Sequence, residues 1–277
     1  MQEKKRERDD KPKKICYTVV VQNERGGRMF NIALAGLVIG IDNHYDFVLR
    51  QCEDYICSGD PAFTVRVSEK TVENECRYAT DEVRGMSTDL RAYSESICIY
   101  REICRVLPSY GAFLFHSAAI CCDGKAYLFS APSGTGKTTH IRQWRKMLGD
   151  GVSMINGDKP ILRLNDDGGF TVYGTPWAGK ECWQCNVSAP LGGICFIDRA
   201  SENSIVPLTP AEAADRALRQ VIFPPDPRKL AEMLALTDKM VSDTPSFLLR
   251  CNISLEAAAL SYTALTGKEA PDLSEMA

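Results

Sequence analysis

No apolar run in this chain is long enough to cross a bilayer. The longest, residues 32–41, contains Gly36 and Gly40 and is about half the ~20 residues a spanning helix needs. A surplus of one charge is missing as well. The 33 Lys and Arg stand against 36 Asp and Glu, a net charge of −3, so no general attraction to nucleic acid or to a membrane surface follows. Nothing near the start resembles a secretory signal. Residues 1–14 mix both charge signs, with Glu3, Glu7, Asp9 and Asp10 interrupting the basic residues, and read as a disordered, solvated tail. The sequence has no internal repeat, and no low-complexity tract outside that tail. These absences predict a cytoplasmic globular protein of one large domain or two small ones.

Cysteine, by contrast, is abundant, with twelve in 277 residues. Disulfide scaffolds are short and secreted, whereas this chain is long and shows no export signal. The cysteines therefore read as reduced, mostly buried small apolar residues. Cys182-Trp-Gln-Cys185 has the spacing of a metal knuckle or a redox pair, but no second pair stands at a matching distance.

Residues 15–22 and 30–41 are apolar and β-branched, with a turn at residues 24–27, and residues 47–57 and 62–67 continue in that style. Residues 15–108 are thus expected to form a small strand-rich module after the tail. Leu90, Tyr93, Ile97, Tyr100, Cys104 and Leu107 recur at helical spacing, and Pro108 ends the run. A second unit spans residues 109–277. Residues 112–120 form one strand, Asp123-Gly124 is a hairpin turn, and residues 125–131 are the return strand. Further strands are expected at 152–155, 161–164, 170–173, 191–197 and 247–251. Helices are expected at 138–148, 211–221, 227–236 and 254–265, the last stopped by Gly267.

The most informative run is residues 131–139, Ala-Pro-Ser-Gly-Thr-Gly-Lys-Thr-Thr. It fits a phosphate-binding loop between a strand and a helix. Gly134 and Gly136 let backbone N–H groups converge on one concavity, Lys137 reaches terminal phosphates, and the Thr138 hydroxyl can ligate Mg²⁺. Ser133, Thr135 and Thr139 complete the candidate nucleotide contacts, and the following helix offers its positive end to the same anion. Because the loop follows a hairpin rather than a strand-helix-strand unit, an ordinary GTPase or recombinase-like fold is disfavoured. Asp158 ends the first apolar strand after the loop helix, where a carboxylate can hold Mg²⁺ or take a proton from an attacking hydroxyl. His116 lies on the strand paired with the one feeding the loop. Lys180 and Glu181, in residues 175–181, suit either a substrate-side loop or a surface turn. Arg199 is a candidate clamp on transferred charge, and Arg219 a weaker one. His140 and Arg142 read as solvated helix residues.

His116-Ser117, the run from Ser133 to Thr138, and Gly157-Asp158 stand in the order and spacing of the HPr kinase/phosphorylase catalytic domain, which this chain resembles over about residues 110–200. ATP-dependent phosphoenolpyruvate carboxykinases share that core and its Ser-Gly-Thr-Gly-Lys-Thr loop. The chain is also similar to bacterial HPr-kinase-related proteins that add a divergent N-terminal module, some encoded in peptide-modification gene clusters. The resemblance implies an α/β fold with a P-loop core of mixed sheet and flanking helices. It also implies ATP held by Lys137 and the loop amides, Mg²⁺ held by Thr138 and Asp158, and Asp158 as base. His116 would sit beside the transferred phosphoryl group, and a homo-oligomer follows by analogy. The chain departs from the family at Lys159, where HPr kinases carry a second aspartate, and at Thr139-His140, where they carry Glu-Thr. It has no recognisable HPr-gripping segment. The expected activity is ATP- and Mg²⁺-dependent phosphorylation of a hydroxyl, such as a serine of a peptide or small protein. The alternatives are a small-metabolite kinase of the same fold, or a nucleotide-binding regulatory module without transfer chemistry, which Lys159 favours.

Overall fold

The computed structural model describes residues 21–22, 28–79 and 89–275 and shows a mixed α/β protein with two mixed sheets. The charged tail and most of residues 15–22 lie outside those residues, as does the turn expected at 24–27. The first sheet takes β1 (Val21–Gln22), β2 (Arg28–Leu34), β3 (Leu37–Asn43), β4 (Ile56–Cys57) and β5 (Phe63–Arg66). β2 and β3 pair antiparallel, β3 and β5 parallel, and β1 and β4 both pair with the other edge of β2. The apolar run 30–41 is therefore a hairpin rather than one strand. Ala35 and Gly36, at φ 52° and 70°, supply the two left-handed residues that a tight hairpin turn needs.

Among the described residues three helices accompany that sheet: α1 (Asp46–Gln51), α2 (Glu69–Tyr78) and α3 (Leu90–Val106). α3 matches the periodicity of the sequence and is capped by the Asp89 side chain, which accepts the N–H of Ala92. α1 corrects the strand expected from residue 47. The approach to it is held by the Glu95 carboxylate of α3, which accepts the N–H groups of His44 and of the N-cap residue Tyr45 at 2.6 and 3.0 Å. Ile32, Ile39, Ile41, Ile99 and Ile103 fill the core beneath. That same core continues past Pro108 into Ala112, Leu114, Ile161 and Trp177.

The second sheet contains β6 (Ala112–Leu114), β7 (Ala118–Cys122), β8 (Lys125–Ser130), β9 (Val152–Asn156), β10 (Ile161–Leu164), β11 (Phe170–Tyr173), β12 (Ser188–Arg199), β13 (Ser204–Pro207) and β14 (Ser246–Cys251). Its main path runs β6-β10-β11-β12-β8-β7-β9, and β14 also pairs with β12 and β13. β12 links the two halves. Its first residues pair antiparallel with β11, and its later ones pair parallel with β8 and β14. β8 is buried on both faces, because side chains alternate across a strand. Ala126 and Leu128 face α5 (Pro210–Ala217) and α6 (Pro227–Asp243), while Tyr127 and Phe129 face α4 (Lys137–Leu148) and α7 (Leu255–Thr266). Gly267, at φ 70°, ends α7.

The strand expected at 112–120 is broken in two. β6 pairs with β10 whereas β7 pairs with β8 and β9, so the chain must change partners at Phe115–Ser117. There the N–H of His116 donates to the Gln220 carbonyl at 2.7 Å. His116 thus lies on a connector between strands and not within the hairpin. Among the described residues no helix is long and apolar enough to cross a membrane.

Candidate active site

β8 ends at Ser130, and after a six-residue loop α4 begins at Lys137. Gly134 and Gly136 take φ 78° and 125°, conformations open to glycine, and a Cβ on either would meet no atom within 4 Å. The loop is therefore shaped by backbone freedom and opens to one side. Arg199, the last residue of β12, fastens the other side. Its Nε donates to the Thr135 carbonyl at 2.9 Å, and its terminal nitrogen donates to that of Gly134. Since a trans peptide points its C=O and N–H in opposite directions, the Gly136 N–H faces away from this guanidinium. Arg199 thus supports the loop rather than reaching across it. A cavity of about 500 Å³ adjoins the loop and the start of α4, bordered by Thr139, Gln143, Arg199 and Asn252.

The Lys137 ammonium folds back over the loop and donates to the Ala131 carbonyl at 2.9 Å; it also lies 3.5 Å from His116 Nε2. That same Nε2 is 2.9 Å from Asp158 Oδ1, and His116 Nδ1 is 2.9 Å from Gln220 Oε1. Lys159 Nζ donates to the second Asp158 oxygen at 2.8 Å. Lysine, histidine, carboxylate and a second lysine therefore form one connected chain beside the loop. Burial alone would raise the Asp158 carboxyl. The hydrogen bond from His116 and the charge and hydrogen bond of Lys159 outweigh it and hold the group well below the usual carboxylate range. Burial pushes the Lys137 ammonium below the ordinary lysine value, opposed by the nearby Asp158 charge.

The turn carrying Asp158 is set by Asn156. Its buried Oδ1 accepts the N–H groups of Asp158 and Lys159, at 2.9 and 2.6 Å, in an Asx turn. Its Nδ2 is anchored on Thr175 and on the carbonyl of Trp177. The segment after β11 then packs tightly over this turn. At Gly174 a Cβ would come within 1.9 Å of the Cys185 carbonyl oxygen, and at Gly179 it would touch the Asp158 side chain at 3.4 Å. The segment 175–181 thus lies against Asp158. Tyr100 of α3 reaches the same turn, its hydroxyl donating to the Lys159 carbonyl at 2.8 Å while its ring stacks on Trp177 at 4.4 Å.

Other expected residues fall elsewhere. His140 is not solvated; it is buried beneath α7, with Nε2 at 2.9 Å from Ser261 Oγ. Arg142 is exposed, above the Trp183 ring at 5.5 Å from its centroid and 3.9 Å from Glu181. Arg219 pairs with Asp215 on the surface and borders the cavity of about 300 Å³ that holds His116 and Asp158. Cys182 and Cys185 are both exposed, and no group of three or more metal-ligating His, Cys, Asp or Glu residues occurs among the described residues. Trp177 lies in the segment 175–181 already singled out, whereas Gln220 and Tyr100 reach the site only through tertiary packing and carry no local signal for it. The Asn156 role was signalled by the Asn-Gly-Asp turn.

Residues 86–255 match the family model described as SynChlorMet cassette protein ScmC. No curated protein matches the chain. Since the matched region covers more than half of the sequence and includes the loop, His116 and Asp158, the chain belongs to the ScmC family of SynChlorMet cassette proteins.

Proposed function

We propose that this protein is an ATP- and Mg²⁺-dependent kinase that transfers the γ-phosphoryl group to a hydroxyl, such as a serine of a peptide or small protein. The observation that carries the reading is the connected run of Lys137, His116 and Asp158 beside a loop whose two glycines adopt φ 78° and 125°. The donor set suits Mg²⁺. One hydroxyl from Thr138 and one carboxylate from Asp158 leave the remaining positions to nucleotide phosphates and water, the usual way this ion is held. When bound, the ion would offset charge on the phosphates. The chain's own residues have separate tasks. Lys137 meets the outer phosphates, and the loop amides with the start of α4 cradle them. Asp158 orients the acceptor hydroxyl and takes its proton as the acceptor oxygen bonds to phosphorus and the bond to the ADP oxygen breaks. The transition state in such transfers is loose, so a carboxylate of low basicity suffices for this step.

A second reading has its own observation. Lys159 Nζ sits on Asp158 at 2.8 Å, where the HPr kinases resembled by this chain have an acid, and it could keep the carboxylate from the ion in a nucleotide-responsive module without transfer. Transfer from γ-labelled ATP by the parent chain separates the two, and Asp158→Asn then tests the base. A kinase keeps nucleotide binding and loses transfer from γ-labelled ATP by about 10²–10⁴-fold, the usual contribution of such a base. Undiminished transfer in that variant excludes Asp158 as the acting group.

A further inference from the structure

A third cavity, of about 680 Å³, runs along the seam between the first sheet's helices and the segment 176–180. α1 and α3 contribute Phe47, Arg50 and Tyr93 to one wall. Ile97, Tyr100 and Lys159 border both this cavity and the one holding His116 and Asp158, so the two adjoin. The seam is firmly built. Gln51 donates to the Pro176 carbonyl at 3.2 Å, and Trp177 Nε1 donates to the Ser96 hydroxyl at 2.9 Å. With Tyr100 stacked on Trp177 and bonded to Lys159, the wall is organised before any ligand arrives.

The described charged side chains that line this groove are all basic, with Lys159 already paired to Asp158 at its inner end. Its described lining holds the cations Arg50, Lys159 and Lys180 and no carboxylate, set among aromatic and aliphatic side chains. Arg50 is exposed in the last turn of α1 and makes no ion pair among the described residues. Its volume lies well inside the roughly 300–1,000 Å³ of sites that enclose a drug-sized ligand, more than a small hydroxy acid fills. Resting on the kinase reading above, we propose that the N-terminal unit is the acceptor-recognition wall. In this proposal the groove takes a short acidic peptide, its apolar side chains against Phe47 and Tyr93 and its carboxylates toward Arg50, and delivers a seryl or threonyl hydroxyl to Asp158.

The test uses the full chain and fluorescein-labelled peptides of equal length, each with one central serine and acidic, neutral or basic flanks. Fluorescence polarisation without nucleotide reads binding apart from chemistry; transfer from γ-labelled ATP is then measured on the same peptides and on glycerate. The acidic peptide is expected to bind about tenfold tighter than the neutral one, with the basic peptide weakest. Arg50→Glu should weaken acidic-peptide binding roughly tenfold, and Arg50→Lys should restore most of it. Equal binding of all three peptides overturns the proposal, as does an Arg50→Glu variant of unchanged affinity and melting temperature. Transfer to glycerate while the peptides neither bind nor accept overturns the groove but leaves the kinase reading standing. A bound acidic peptide with no transfer, in a protein that binds Mg-ATP, supports the groove and counts against the kinase reading.

Discussion

Lowering the pH should loosen the phosphate-loop helix through His140, one turn inside α4. Ser261 has one hydroxyl proton, which goes to the Ala258 carbonyl at 3.0 Å. Its oxygen accepts the Trp144 indole N–H at 2.8 Å and lies 2.9 Å from His140 Nε2, so the neutral ring is hydrogen-bonded without a charge to offset its burial. The ring is packed 5.1 Å from the Phe129 ring, surroundings that favour its neutral form. Burial pushes its pKa down to about 4 from the ordinary 6.5. The unfolded chain therefore binds this proton more readily than the native one. The stabilisation is complete above about pH 6.5 and is lost as the pH falls toward 4. At about 1.4 kcal/mol per tenfold in proton affinity, the full effect is about 3 kcal/mol, of which about 2.5 is lost between pH 7.5 and 4.5. Asp158, also held low, loses its contribution only below about pH 4 and stays out of this window. Urea unfolding followed by tryptophan fluorescence at the two pH values measures the loss. His140→Gln, which can still donate to Ser261, should flatten the dependence by most of that amount. A variant with the same pH dependence as the parent would refute the buried neutral ring.

Two further outcomes follow from the site's geometry. Gly136→Ala, at φ 125°, meets no neighbour but forces a side chain into a region essentially reserved for glycine. It should cost about 1–3 kcal/mol or reshape the loop, read as a lower melting temperature together with weakened nucleotide binding. Tyr100→Phe removes the hydroxyl that donates to the Lys159 carbonyl, but the Thr175 hydroxyl, 2.9 Å from both this carbonyl and that of Trp177, can turn its proton to it, and Asn156 Nδ2 still donates to the latter. The loss should therefore be about 1 kcal/mol in urea unfolding, and a loss above about 3 would mean the carbonyl was left bare.

The parts of the site that are legible in the sequence are those whose cause is local. Gly134 and Gly136 announce the loop because only glycine tolerates its backbone, and Asn156-Gly-Asp158 announces the turn because an asparagine side chain can close it on its own. β10 and β11 follow the expected bounds because alternation and a Gly-rich turn are both short-range signals. The rest depends on distant partners. α1 reads as a strand in the sequence, because the carboxylate that holds its start comes from Glu95, 50 residues away from Tyr45. α2 is polar nearly throughout, burying only Val72, so it carries little apolar stripe to detect. His116 falls on a connector because β6 and β7 choose different partners, a choice made by the sheet as a whole. Its second partner, Gln220, follows α5 with no pattern to mark it.

In the proposed kinase the loop before α4 holds a triphosphate, with Lys137 on its outer phosphates. Titration calorimetry of Mg-ATP against the parent chain and Lys137→Ala tests it most directly. Saturable binding by the parent is expected, with a loss of about tenfold or more in the variant from removal of a charge-assisted contact. Equal affinities, or no saturable binding by the parent, would contradict it.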